Sequence, residues 1–311
     1  MDVFSDSGEL YTIRNQFYTN QHHKVTSYSL DQFSEENQLK VLEYQIRSTI
    51  ALGEDASQLI ENGKLLFPEH EELFQLLSAY DDLNSFGTDD STYFDDIKVA
   101  LFELQAILTA VYLVKFEKDI DQAISFLTSY IDSNTKFDEI EPFLILIQLH
   151  LIQGNFSAAN KIFESFKSFP DSTRDSIIYQ VIESWILSIK GESDNINNAY
   201  YFYDEWLSSD FEDDPQGKYQ LLNVLFVLTL QLKHYPEALE ISSQIRGLDV
   251  KPTGDFIANE VTFDYISNGG ANVEQLLNEL KNVDPEHQLL VDQEEKNIKF
   301  DEIVAKYETV I

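Results

Sequence analysis

One arrangement recurs down this chain and limits what it can become. A bulky residue is followed three positions later by alanine, four further on by a second bulky residue, and three beyond that by a third. Phe156, Ala159, Phe163 and Phe166 have this spacing, as do Ile120, Ala123, Leu127 and Tyr130, and Ile196, Ala199, Tyr203 and Trp206. Tyr235, Ala238, Ser242 and Ile245 repeat it in weaker form. The four alanines stand 36, 40 and 39 residues apart, and each follows a polar break after an apolar segment. On an α-helix these offsets fall on one face. Two antiparallel helices approach closely only where one offers a small side chain, and the bulky residues then fill the groove to the neighbour. A unit of this kind buries its face only by stacking on further units. The period is that of a tetratricopeptide-like repeat, stretched beyond the usual ~34 residues.

Apolar residues recur at helical spacing through most of 36–80, 97–131, 140–167, 174–190, 197–207, 217–232 and 235–246, and alternating strand patterns are scarce. The expected fold is all-α: one right-handed, tetratricopeptide-like α-solenoid over residues 1–311. Degenerate repeats cover about 9–80, with Thr26 where alanine is expected and an even looser pattern over 49–62. The stretch 81–96, DDLNSFGTDDSTYFDD, reads as a mobile acidic loop. Clearer repeats follow over about 97–250. Helices near 253–268, 271–282 and 286–307 complete the chain, the last capping the open end.

Charge narrows the function. Lysine and arginine number 21 against 55 aspartates and glutamates, a net charge of −34. No basic stretch is present to displace counterions, so nucleic-acid binding is not expected, nor is direct adhesion to anionic lipid. The chain has no cysteine, and its six histidines show no ligand spacing, so no metal or cofactor is expected. The N-terminus is acidic without a long apolar core, and no apolar run reaches the ~18 residues of a membrane span. A soluble, cytosolic protein is the expectation. There is no phosphate-binding loop and no nucleophile elbow. Paired carboxylates leave a helical-toroid glycosidase conceivable, but 55 acids create such pairs by chance.

The segments 103–114, 141–152 and 219–232 are apolar nearly all round, although a helix with one wet face should be amphipathic. Each is the first helix of its repeat, the one that lines the concave surface in this architecture. Either the superhelix is tight enough to bury both sides or an apolar partner fills the groove, through Leu144, Gln148, Leu151, Asn223, Val227 and Leu230. Those side chains lack the cations with which tetratricopeptide co-chaperones hold acidic peptide tails. Ala123, Ala159, Ala199 and Ala238, with Phe163 and Tyr203, are assigned to packing between repeats.

Three stretches carry a family likeness. In ELYTIRNQFYTNQHHKV (9–25), Glu9, Leu10, Tyr11, Arg14, Asn15, Phe17 and Tyr18 resemble the opening repeat of the epsilon subunit of coatomer, in its fungal form. Asn20 stands where glycine is common there. Ala199, Tyr200 and Tyr201 resemble a second segment of that family, and Phe300, Asp301, Ile303, Val304 and Tyr307 its C-terminal signature. The resemblance implies a non-enzymatic tetratricopeptide solenoid of the COPI vesicle coat. It implies a partner, the C-terminal domain of the alpha subunit, which the chain binds and stabilises. It also implies a cytoplasmic location, peripheral on Golgi and vesicle membranes, with a role in Golgi-to-ER retrograde and intra-Golgi transport. In this reading Phe300 and Tyr307, seven apart on one face, anchor the capping helix. A soluble attachment factor for membrane-fusion complexes, also an acidic helical-hairpin solenoid, is the alternative; its acidic C-terminal end fits less well with the aromatic, apolar FDEIVAKYETVI.

Overall fold

The computed structural model describes residues 8–87, 92–137, 139–208, 211 and 214–308. Sixteen α-helices and no strand occur among them, so the chain is all-α. They are α1 (Tyr11–Tyr18), α2 (His22–Thr26), α3 (Glu35–Ala51), α4 (Ser57–Leu66), α5 (Glu71–Phe86), α6 (Glu103–Lys115), α7 (Ile120–Ser133) and α8 (Glu141–Ile152). There follow α9 (Phe156–Ser165), α10 (Ile177–Lys190), α11 (Ser193–Leu207), α12 (Pro215–Gln231), α13 (Tyr235–Arg246), α14 (Gly254–Asn268), α15 (Val273–Val283) and α16 (Gln288–Glu308). Tertiary contacts group them into two units, Met1–Ala199 with Phe211–Gly217, and Tyr200–Asp210 with Lys218–Ile311.

Helices α3, α5, α6, α8, α10, α12 and α14 begin at 35, 71, 103, 141, 177, 215 and 254, at intervals of 36, 32, 38, 36, 38 and 39 residues. Each except α5 is followed by a partner helix after a tight turn. The turns share one device, a residue with positive φ: Gly53, Lys118, Gly154, Gly191 and Glu192, Lys233, and Gly269. Asn20 does the same between α1 and α2 at φ 62°. Glycine and asparagine accept this left-handed conformation readily, whereas lysine and glutamate hold it at a cost. Polar caps then start the partner helices, with the Asp119 carboxylate accepting from Gln122 N at 2.8 Å and the Asn155 side chain from Ala158 N at 3.2 Å.

The fourth residue of the partner helices α7, α9 and α13 is Ala123, Ala159 and Ala238, and the seventh of α11 is Ala199, each fully buried. In α2 and α4 the fourth place holds Val25 and Ile60, also buried. Val25, not Thr26, is therefore the packing residue of the first hairpin, because α2 starts one residue earlier than the alignment on alanine implies. In α4 the close approach is made instead at Gly63, where a Cβ would lie 2.2 Å from the ring of the fully buried Phe74.

Segment 81–96 departs from its expected character. Residues 81–86 are the last turns of α5, and Gly87 ends that helix in the left-handed conformation. Residues 88–91 lie outside the described residues. From residue 92 the chain packs where α5 lacks a partner helix. Phe94 is buried and stacks on Tyr112, ring centroids 5.1 Å apart. Tyr93 OH accepts from Gln105 Nε2 at 2.9 Å, and Gln105 Oε1 accepts from Leu101 N at 2.8 Å. Two aromatic rings and a glutamine fix this loop to α6, which starts at Glu103 rather than 97.

At the other end, Leu290 joins Ile257 and Leu280 in a small core. Phe300 and Tyr307 are exposed, 65% and 73% respectively, so they do not anchor α16. The geometry of the helix explains this. At about 100° per residue, Phe300 points roughly 80° away from Leu290.

Candidate functional site

Two adjacent glutamates organise the first unit. Glu139 and Glu141 flank Ile140 at the entry to α8, and both are 4% exposed. Carboxylates are seldom buried unless cations and donors meet them, and these draw theirs from α1 and α3. Arg14 Nε donates to Glu139 Oε1 at 2.9 Å. The Tyr44 hydroxyl donates to the same oxygen. The Tyr18 hydroxyl lies 2.8 Å from Glu139 Oε2 and 2.9 Å from Glu141 Oε2. Arg47 forks onto Glu141, with Nη1 3.0 Å from Oε2 and Nη2 on Oε1, and Nη1 also reaches Glu43 at 3.2 Å. Lys40 completes the group, 2.8 Å from Glu43 and 3.8 Å from Glu139. The backbone N–H of Glu139 donates to Glu103 at 3.0 Å. Arg14, Lys40 and Arg47 balance Glu43, Glu139 and Glu141 one for one.

Aromatic packing holds the donors in place. The Arg47 guanidinium lies 4.6 Å over the Phe17 ring, whose centroid is 4.8 Å from that of Tyr44. Ile13, Phe17, Val25, Val41 and Tyr44 form a core of their own beneath. Burial alone would raise the Glu139 carboxyl, but Lys40 and Arg14, with hydrogen bonds from the two tyrosines, bring it down to about 2. Burial and then Glu139 push both phenols well above their ordinary range. Beside them, burial and then Arg47 and His23 lower the His22 imidazole to about 4. A carboxylate held ionised to such low pH cannot donate a proton at neutral pH, so Glu139 is no general acid.

The first hairpin is also held elsewhere in the unit. Helix α1 packs on α10. The carbonyl of Asn20 would lie 2.6 Å from a Cβ at Gly217, and Lys24 Nζ sits 5.7 Å from the centre of the Phe211 ring.

The inner-helix residues fall into two sets. On α8, Leu144 is buried, Leu151 half-buried and Gln148 exposed, on successive turns of one face. On α12, Asn223, Val227 and Leu230 are half-buried, and Asn223 Oδ1 accepts from Asn259 Nδ2 at 3.3 Å. Helix α6 is buried from Leu104 to Ala110, Gln105 and Thr109 included, so its apolar character is satisfied inside the chain. Tyr203 is buried and Phe163 half-buried against Tyr179, ring centroids 5.5 Å apart. Sequence reasoning singled out Arg14, Phe17 and Tyr18 through the family likeness, but not Lys40, Tyr44, Arg47, Glu139 or Glu141. The one local signal was a pair of acids before the nearly uncharged stretch PFLILIQLHLI, faint among 55 acids.

Among the described residues no helix is long and apolar enough to cross a membrane, and no group of three or more acids and histidines could hold a metal ion. The fold and this ion-paired interior define a helical-repeat protein whose charged side chains brace one repeat against another. The family model of the coatomer epsilon subunit matches residues 102–308. The chain belongs to the coatomer epsilon subunit family. It is 25% identical over 317 aligned residues to a protein of Saccharomyces cerevisiae named coatomer subunit epsilon, covering 97% of this chain and 99% of that one. It is 22% identical to a probable coatomer subunit epsilon of Schizosaccharomyces pombe, over 66% of this chain and 64% of the relative.

Proposed function

We propose that the chain serves as the epsilon subunit of a COPI coat: a non-enzymatic component that binds and stabilises the C-terminal domain of the alpha subunit. It would act in the cytoplasm, peripheral on Golgi and vesicle membranes, in retrograde and intra-Golgi transport. The observation that carries this is the end-to-end alignment with the Saccharomyces cerevisiae subunit, which leaves almost nothing of either chain unmatched. We assign one partner-facing patch to each unit: Leu144, Gln148 and Leu151 on α8, and Asn223, Val227 and Leu230 on α12. Both faces are mainly apolar, which favours a grip that resists salt.

The test is size-exclusion chromatography with light scattering, on the chain alone and co-expressed with the alpha C-terminal domain. A one-to-one complex that survives high salt is expected, and Leu151→Asp with Leu230→Asp should abolish it while helicity by circular dichroism is retained. A monomer that ignores the domain overturns the assignment.

A further inference from the structure

Beside the buried glutamates the first unit carries a groove of about 700 Å³ that none of the described residues fills. Its walls come from the start of α3, from residues 68–73 and from residues 102–107. Leu39, Leu73, Phe102, Leu104 and Ile107 give it an apolar floor. Leu104 and Ile107 are buried, and the other three are half-buried. A volume of this size suits two or three side chains of a bound segment.

The charge around that floor is one-sided. Six carboxylates line the groove; Glu43 and Glu141 are already matched by Lys40 and Arg47, which leaves Glu69, Glu71, Glu72 and Glu103 as its acidic rim. Lys40 is the one lysine or arginine among the lining residues, and its ammonium is already held by Glu43 at 2.8 Å. The helix dipoles of α5, α6 and α8 account for acids in their first turns. They do not account for Glu69 in the turn before α5, nor for the convergence of the four rim acids on one apolar floor. A low-dielectric wall under like charges focuses the field into the groove, repelling anions and drawing cations. Lysine and arginine have the matching shape, an aliphatic stem for the floor and a charged head for the rim.

We propose that this groove docks a peptide segment of a partner in which a bulky apolar residue is flanked by arginine or lysine. The apolar side chain seats on the half-buried Leu39, Leu73 and Phe102, and the flanking cations reach Glu69, Glu72 and Glu103. This does not depend on binding of the alpha subunit, which is assigned to α8 and α12.

The test is isothermal titration calorimetry of the intact chain with the capped peptide acetyl-Gly-Arg-Leu-Arg-Gly-amide. Saturable one-to-one binding is expected, lost when glutamate replaces both arginines and weakened when glycine replaces leucine. Glu69→Gln with Glu72→Gln should weaken it roughly three- to tenfold, the range for two exposed charges. Both glutamates are exposed, so thermal melting should report an intact fold. The control Glu274→Gln with Glu294→Gln removes the same charge from exposed sites of the second unit and should leave the affinity unchanged. No binding, or equal weakening by the control pair, overturns the proposal. So does indifference to the leucine, which would mean attraction to net charge alone.

Discussion

The two ends of the chain carry the family's likeness in opposite ways. In the N-terminal stretch, Arg14, Phe17 and Tyr18 are turned inward, and their polar atoms meet acids more than 120 residues away. In the C-terminal stretch, Phe300, Ile303 and Tyr307 are more than half exposed, and the helix bearing them is packed only near its start. Family-typical residues are thus of two physical kinds. Those at one end brace the chain against itself, and removing them should cost stability. Those at the other touch little within the chain, and removing them should leave stability alone.

The sharpest way to break that contrast is to cut the buried ion pairs. Glu139→Ala strands Arg14 without its acid, while Lys40 keeps Glu43, and breaking such a buried pair costs about 3–5 kcal/mol. Urea denaturation should show this loss. A change below ~1 kcal/mol would mean that the pairs only ornament the core.

Acid should do the same work more gently. The Glu139 carboxyl titrates at about 2 in the folded chain, below its ordinary range. Its contribution is complete above about pH 4.5 and is lost as pH falls towards 2. For His22 the unfolded imidazole takes its proton near pH 6.5, while the folded one waits until about 4. That contribution is present above about pH 6.5 and drains away between there and 4. Stability measured against pH should therefore fall in two stages, and His22→Gln should shrink the upper one, to which the burial-lowered His150 also contributes, and leave the lower one unchanged.

Packing changes come next. Gly63→Ala drives a methyl group into Phe74 and should cost about 1–3 kcal/mol, as should Ala159→Leu in a better-defined repeat. Equal losses would place the degenerate and the clear repeats on one footing. At the lower end, Lys118→Gly relieves a left-handed lysine and should gain up to about 1 kcal/mol in melting experiments. The smallest effect belongs to the exposed end. Phe300→Ser with Tyr307→Ser should move stability by less than about 0.5 kcal/mol, and a larger loss would collapse the distinction between the two ends.

How much of this was legible depends on range. The buried alanines could be read because a helix repeats every few residues and a hairpin every forty or so; Ala123, Ala159, Ala199 and Ala238 mark their hairpins from local spacing alone. Val25 was missed by one residue because a β-branched side chain in the alanine's place leaves no distinctive mark. The packed loop was missed because composition cannot tell that Phe94, in a stretch rich in aspartate, stacks on Tyr112. The link from Arg47 to Glu141 is wholly non-local: nothing near either residue announces the other. The exposure of Phe300 and Tyr307 likewise depends on which helix faces α16, a fact of assembly rather than of period.

The distance in sequence between the braced partners has a consequence for how the chain is made. Arg47 emerges from the ribosome 94 residues ahead of Glu141, and Arg14 emerges 125 ahead of Glu139. At usual synthesis rates the first hairpins wait roughly 5–25 seconds for the acids that complete them. Until then their cations and phenols have only water and Glu43 for company. The beginning of this protein is translated first and finished late.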